Sequence, residues 1–245
     1  MPASPKIATR AVNLRIREDV RDLIDHAAST QSKTRSEFMI DAARRAAEDT
    51  LLDQTFIRVD PETYDRFVEV LDRPPGGEAY ERLMSAPGAP APLDDRHRLD
   101  DFDSGVPVLD DWLRRRSRSN QASGASRTYV VADETGRVTA YYALASGALV
   151  ATEAPGLLKR NMPDPIPMAI LGRLAVDRSF QGQGLGVAIL RDAVLRTRQA
   201  ATILGIRGLL VHAISEDAKR FYERYGFTPG PANPMTLVMS LADRA

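Results

Sequence analysis

Residues 181–186 read QGQGLG, and this run decides how the larger part of the chain is read. Gly182, Gly184 and Gly186 alternate with Gln181, Gln183 and Leu185. Before the run comes PMAILGRLAVDRSF (167–180), nearly continuously apolar from Ala169 to Val176, the pattern of a buried strand. After it, VAILRDAVLRTRQAA (187–201) places Val187, Leu190, Val194 and Ala201 on one side of a helix. A strand, a glycine loop and a helix N-terminus together make a place for an anion. Glycines let backbone N–H groups approach closely, and the helix adds unpaired N–H groups and the positive end of its dipole. Two chemistries are excluded. A P-loop ends Gly-Lys-Ser/Thr, whereas this loop ends Gly-Leu-Gly-Val; a dinucleotide fingerprint needs G-x-G-x-x-G, whereas these glycines stand two and two apart. A phosphate or pyrophosphate on another kind of ligand remains.

Working outward, residues 94–245 are long enough for a single α/β domain. FDSGVPVLDDWLRRRSRSNQ (102–121) predicts a helix after a turn. RTYVVADETGRVTAYYALASGAL (127–149) predicts two strands joined at Glu134-Thr135-Gly136. RGLLVHAI (207–214) predicts a strand, SEDAKRFYERYGF (215–227) a helix and PMTLVMSL (234–241) a last strand. The whole chain has 245 residues, 43% hydrophobic and 27% charged, as globular proteins are. No apolar run approaches the roughly 18 residues of a membrane span, and MPASPKIATR at the start lacks the apolar core of a signal peptide. There is no cysteine, so disulfides and thiolate metal sites are excluded. His26, His97 and His212 are far apart and make no metal-ligand pattern, so no metal is expected. His212, on an apolar strand, reads as structural. A cytoplasmic protein is the simplest reading.

Gln181-x-x-Gly184-x-Gly186 after LAVD resembles the pyrophosphate loop of GNAT acetyltransferases, and the FYERYGF ending resembles a later helix of that family. The resemblance implies an α/β (α+β) GNAT fold with acetyl-CoA as co-substrate. It implies that Gln181, Gly182, Gln183, Gly184, Leu185 and Gly186 cradle the pyrophosphate, and that the strand Leu174, Ala175, Val176 pairs with the pantetheine arm. Ser215, where many members carry Asn, and Phe221 complete the expected cofactor contacts. Tyr222 is the expected general acid, protonating the departing thiolate. Tyr225, three residues on, should point elsewhere. No side chain stands out as the base.

At the other end, Val12, Leu14 and Ile16 alternate with Asn13, Arg15 and Arg17, the period of a short strand with one apolar face. Val20, Leu23, Ile24 and Ala27 then follow helical spacing. Thr34 and Glu37 form a capping box that opens a second helix through Phe38, Ile40, Ala42 and Ala46. One short strand satisfies neither its backbone groups nor its apolar face, so a second copy of the chain is expected to pair with it. The order strand, helix, helix resembles the ribbon-helix-helix fold, whose paired strands enter the DNA major groove. On that resemblance Asn13 and Arg15 meet base edges, Arg17 adds to the basic arm, and Thr34 and Ser36 at the second helix N-terminus hold a backbone phosphate.

Between the two lies an acidic stretch. Residues 51–90 carry eight acids against four arginines, whereas residues 91–245 carry 20 bases against 17 acids. FIRV (56–59) allows a short strand. Asp60-Pro61 starts a helix with Asp at the N-cap and Pro at N1, and Tyr64, Phe67, Val68 and Leu71 form its apolar stripe. EAYERLM (78–84) allows another turn or two, and SAPGAPAPL (85–93) reads as a Pro/Ala linker. Such a segment lies on something else.

FDSGVPVLDDWLRRRSRSNQASGASRTYVV (102–131) resembles the opening of TacT-type GNAT toxins, which acetylate the α-amine of aminoacyl-tRNA. Residues 1–90, including RVDPETYDRFVEVLDRPP (58–75), resemble the matching ribbon-helix-helix antitoxin. The organisation implied is 1–52 for DNA binding and dimerisation, 53–90 for neutralisation and linkage, and 91–245 for acetyl transfer. The departure is that both halves share one polypeptide. A tRNA enzyme wants a basic face, and Arg114, Arg115, Arg116, Arg118, Arg220 and Arg224 are its candidates. The acidic segment is expected to cover that face or the cofactor groove. Two other readings stay open: acetylation of protein or small-molecule amines, and a transcription regulator that senses acetyl-CoA.

Overall fold

In a computed structural model the described residues are 14–31, 33–43, 60–74, 88–159 and 162–241. The chain divides into two compact units, Met1–Thr50 and Leu51–Ala245.

In the first unit, α1 (Glu18–Thr30) is followed by α2 (35–43). The capping box forms as expected: the Thr34 backbone N–H donates to Glu37 at 2.9 Å, and the Glu37 N–H donates to the Thr34 hydroxyl at 3.2 Å. Arg35 at the start of α2 pairs with Asp25 of α1, and Lys33 reaches Asp41 at 2.8 Å. The expected strand falls partly outside the described residues, with Asn13. Its described part, 14–17, is not a strand here. The physical reason is the one that calls for a second copy: an isolated chain offers this segment no strand to pair with. Leu14, Leu23 and Ile40 stand 65%, 68% and 66% exposed, an apolar surface that the described residues of this unit leave uncovered.

The second unit is built on a seven-stranded sheet in the order β1-β2-β3-β4-β5-β7-β6. Its strands are β1 (Ala91–Pro92), β2 (Arg127–Ala132), β3 (Val138–Leu149), β4 (Ile166–Val176), β5 (Gly208–His212), β6 (Thr228–Pro229) and β7 (Thr236–Ser240). Every neighbouring pair is antiparallel except β4 and β5. One face carries α4 (Pro107–Arg115), α5 (Ser117–Ser123) and α6 (Gly156–Lys159). The other carries α3 (Pro61–Asp72), the long α7 (Leu185–Leu204) and α8 (Glu216–Arg224). The hairpin at 133–136 forms as expected, with Gly136 at φ +79°.

Two expectations need correcting. The single helix foreseen over 102–121 is two, broken at Arg116. Ala91 and Pro92, read as linker, pair with Val130 and Tyr129 as an edge strand, where a proline costs no ladder bond. The following Leu93 is buried. FIRV (56–59) and EAYERLM (78–84) lie outside the described residues.

Candidate active site and the helix behind it

The site begins where the sheet parts. β4 and β5 pair from Met168 with Gly208 to Leu171 with Val211. Beyond that point β4 runs on to Val176 paired only with β3. The register shifts between Ala143 and Leu144, leaving Gly172 as an extra residue on β4. Such a bulge bends its strand. The β5-facing edge of residues 172–176 is therefore left without a strand. An extended ligand can pair with such an edge as another strand would.

The glycine loop starts at the end of that edge. Asp177 is buried at 2% exposure and anchors the turn, accepting from Ser179 N–H at 3.0 Å, Asp103 N–H at 3.2 Å and Arg137 Nη2 at 3.1 Å. Gly182 and Gly184 have φ of +75° and +83°, and a Cβ on either would meet nothing within 4 Å. Their glycines are thus required by backbone conformation, and the surroundings are open. Gly184 is the N-cap of α7, and Val187 and Ala188 make the first intrahelical bonds, both to its carbonyl at 3.1 Å. The earlier amides are the ones a helix N-terminus leaves for an anion. The Gln181 side chain is engaged within the protein. Its Nε2 donates to the carbonyls of Ser104 and Val176, both at 2.9 Å, so the side chain latches the loop onto the sheet. Gln183 likewise bonds the Ser179 carbonyl at 3.1 Å. What the loop presents is backbone.

Leu174, Val176, Leu185 and Phe221 pack against the same cluster that buries Tyr222. Ala175 points to the opposite face, among Leu109, Leu113 and Tyr141, so only its backbone belongs to the open edge. Ser215 caps α8, its hydroxyl accepting from Ala218 N–H at 3.1 Å, and is committed to that bond. Tyr222 is 7% exposed with Phe221 and Phe227 edge-on at 5.3 and 5.5 Å. Burial raises its phenol well above the usual value of 10.0, so it stays protonated at neutral pH, as a proton donor must. Tyr225 turns outward as expected, to 36% exposure, and lines a cleft with Val187, Asp217, Arg220, Phe221, Glu223 and Arg224, in which Arg220 pairs with Asp217. Arg220 and Arg224 therefore stand beside the glycine-loop helix. His212 is exposed at the end of β5, its Nδ1 2.9 Å from the Thr236 hydroxyl, rather than buried in the strand as expected.

The arginines foreseen as a tRNA face are partly engaged. Arg114 bonds the Phe102 carbonyl at 2.9 Å and pairs with Asp111 at 3.2 Å. Arg118 bonds the carbonyls of Asp94 and His97 and pairs with Asp95 at 2.7 Å. Arg115 and Arg116 are exposed on the same turn. Among the described residues no group of three His, Cys, Asp or Glu is placed to hold a metal ion. No helix among them is long and apolar enough to cross a membrane.

Of the acidic segment expected to cover that face or the cofactor groove, the described residues form helix α3, and 53–59 and 75–87 lie outside them. Asp60 caps it, accepting from Thr63 N–H at 2.9 Å, and Pro61 opens it. It packs along α7, burying Phe67 and Leu71 to 8% and 3% exposure, each side chain contributing about 1.5–3 kcal/mol. Its single hydrogen bond toward α5 among the described residues is from the Tyr64 hydroxyl to the Gly124 carbonyl at 3.4 Å. Instead its end meets polar residues on α7 and β2 that sequence reasoning missed. Arg196 and Asp192, both fully buried, pair at 2.9 Å. The Tyr142 hydroxyl donates to Asp192. Asp72 of α3 pairs with Arg127 and accepts from the Tyr129 hydroxyl at 2.8 Å. Burial works against the charge of Arg196, but Tyr142 and Asp192 outweigh it and hold the guanidinium protonated. The local sequence shows only an Asp–Arg pair four apart on a helix that also carries Arg191, Arg198 and Gln199, the pattern of a surface pair.

Comparison with known proteins agrees with this geometry. The acetyltransferase (GNAT) domain model matches residues 125–229, and the antitoxin TacA 1-like model matches residues 11–86. Over 160 residues, 65% of this chain, it is 46% identical to a tRNA-acetylating toxin of Mycobacterium tuberculosis (strain ATCC 25618 / H37Rv), spanning 96% of that protein. The chain belongs to the tRNA-acetylating toxin family of GNAT acetyltransferases. To this toxin is joined a TacA-like part, 40% identical over 75 residues to antitoxin TacA1 of Salmonella typhimurium (strain 14028s / SGSC 2262), covering 30% of this chain and 79% of that one. Among solved structures, AtaT complexed with acetyl-methionyl-tRNAfMet resembles the toxin part with a TM-score of 0.59 at 30% identity, covering 62% of this chain and 94% of that one. A mutant AtaT toxin bound to the C-terminus of the antitoxin AtaR and acetyl-CoA gives 0.53 at 29%, covering 62% and 92%.

Proposed function

We propose that this chain is an antitoxin and a toxin in one polypeptide. The toxin part transfers the acetyl group of acetyl-CoA to the α-amine of aminoacyl-tRNA and so blocks translation. The antitoxin part neutralises it and represses its own transcription from operator DNA as a dimer. Division at residues 52 and 90 and residence in the cytoplasm complete the reading.

The observation that carries it is the unpaired edge of β4, running from the Gly172 bulge to a helix N-terminus with open surroundings. The edge suits the amide-bearing pantetheine arm, and the amides of residues 184–186 suit the pyrophosphate. Arg220 and Arg224, beside the start of α7, suit the cofactor's phosphates better than tRNA. Arg115 and Arg116, exposed on one turn, suit the tRNA backbone. An acetyl thioester already carries a good leaving group, so the residues have little covalent work. The amine nitrogen attacks the carbonyl, the C–S bond breaks as the amide forms, and the Tyr222 phenol donates its proton to the departing sulfur. A water takes the proton released by the amine. The dimer follows from the uncovered Leu14, Leu23 and Ile40 and from the strand that one chain leaves unpaired.

The test uses labelled acetyl-CoA and a pool of aminoacylated tRNAs, followed by mild alkaline release of the amino acids. Labelled N-acetyl amino acid is expected. Label on spermidine or lysine peptides with none on charged tRNA would replace the substrate. Acetyl-CoA binding with turnover on no amine would leave a cofactor-sensing regulator.

A further inference from the structure

Acetyl transfer as proposed moves two protons, and Tyr222 supplies only the one that goes to sulfur. The amine must lose the other. Its receiver belongs on the side of the sheet from which the amine comes. Tyr222, Arg220 and the start of α7 stand on one face, with α8. An acyl group on the open edge of β4 is therefore reached by an amine from the other face, that of α4 and α6.

His212 stands at that opening. Val211 makes the last pair of β5 with β4, and His212 is the next residue. Leu209 and Val211 pack in the cluster that buries Tyr222, whereas Leu210 packs in the opposite one with Ile166 and Met168. Alternation along the strand therefore turns His212 to the α6 face. There it is exposed, and the Thr236 hydroxyl of β7 lies 2.9 Å from its Nδ1. On β4 the Gly172 bulge is followed by Arg173, whose guanidinium lies 5.5 Å from the centre of the Trp112 ring of α4. Strands β4, β5 and β7 carry two titratable side chains, Arg173 and His212. A guanidinium keeps its protons at neutral pH, whereas an imidazole exchanges one there.

We propose that His212 is the proton acceptor of the reaction, taking from water the proton that the amine loses. This rests on the acetyl transfer proposed above and holds for any primary amine as acceptor. Nδ1–H donates to the Thr236 hydroxyl, which fixes the ring and its tautomer, so Nε2 carries the lone pair. The amine nitrogen bonds the carbonyl carbon and passes its proton through water to Nε2. The C–S bond breaks, and the Tyr222 proton goes to sulfur. Imidazolium and phenolate then return to neutral by exchange with solvent. Thr236 is the positioning residue. Acid and base thus stand on opposite faces of one sheet.

The experiment uses the full chain in excess over charged tRNA, with saturating labelled acetyl-CoA. It reads the single-turnover rate, so that a suppressed rate is still measured. Where label goes to another amine, that amine takes the place of the tRNA. His212→Asn is expected to lower the rate about 100-fold, while acetyl-CoA affinity by calorimetry stays as it was. In His212→Gly, added imidazole restores part of the rate; pyrazole, a ring of the same shape and far weaker basicity, restores none. Thr236→Val keeps the histidine and covers the case in which the His212 variants do not fold. It lowers the rate about tenfold, and Thr236→Ser recovers it. An undiminished rate in His212→Asn would overturn the inference alone. So would a loss in His212→Gly that imidazole repairs no better than pyrazole. A native chain that acetylates no amine would overturn the proposed function, and this step with it.

Discussion

The start and the middle of α7 do opposite things with the same helix. At its start, Gly182 and Gly184 hold a turn open, with no atom within 4 Å of where a Cβ would sit. In its middle, Asp192 and Arg196 are fully buried and bonded on every side. The start keeps backbone donors that suit a ligand. The middle satisfies another helix's backbone acceptors within the chain. In the proposed function, catalysis and neutralisation thus share one rigid element. Deleting residues 54–90 accordingly removes a packing partner of α7 as well as the proposed inhibitor.

Substitutions at the two places should separate. The largest effect belongs to Tyr222→Phe, which removes the proton donor. It should lower kcat about 100- to 10,000-fold while leaving acetyl-CoA affinity unchanged by calorimetry. Next comes Arg196→Met, which leaves Asp192 buried without its cation; a loss of about 3–5 kcal/mol of stability is expected in urea unfolding. A site-end change that cost as much stability would blur the comparison. Gly184→Ala should cost only about 1–2 kcal/mol, through a left-handed φ, and should weaken acetyl-CoA binding more than it weakens the fold. Arg220→Ala with Arg224→Ala sharpens the site end further. Their affinity loss, about tenfold, should shrink when the 3′-phosphate is absent from the cofactor, as measured with dephospho-acetyl-CoA.

The smallest effect is in pH. Burial raises the phenols of Tyr129, Tyr141, Tyr142 and Tyr222 above their ordinary value of 10.0. Their folded values exceed the unfolded one. The stability they confer is therefore fully present below pH 10.0 and is lost as pH rises through the folded values. Thermal midpoints should show no tyrosine-linked fall up to that pH, and kcat should show no basic limb from Tyr222 below it.

The same contrast explains what the sequence made legible. Glycines two apart before an apolar helix make a local backbone demand, so the loop and its strand were readable from spacing. The bonds of the Gln181 side chain were not, because its acceptors, Ser104 and Val176, are set by tertiary packing. Asp192 and Arg196 look like any surface pair at i and i+4 until Tyr142 and α3 close over them. Their burial depends on residues 50 and 125 positions away, which no local pattern carries. The short β1 failed for a related reason: Ala91 and Pro92 have no strand signal of their own and take strand geometry from β2.

The measurement that tests the account most directly compares three proteins on one pool of charged tRNA with labelled acetyl-CoA. These are the full chain, residues 88–245, and residues 88–245 carrying Tyr222→Phe. The account predicts label on the α-amine from residues 88–245, its suppression in the full chain, and its loss with Tyr222→Phe. Residues 88–245 that are folded and bind acetyl-CoA, yet place label on no charged tRNA, would contradict it.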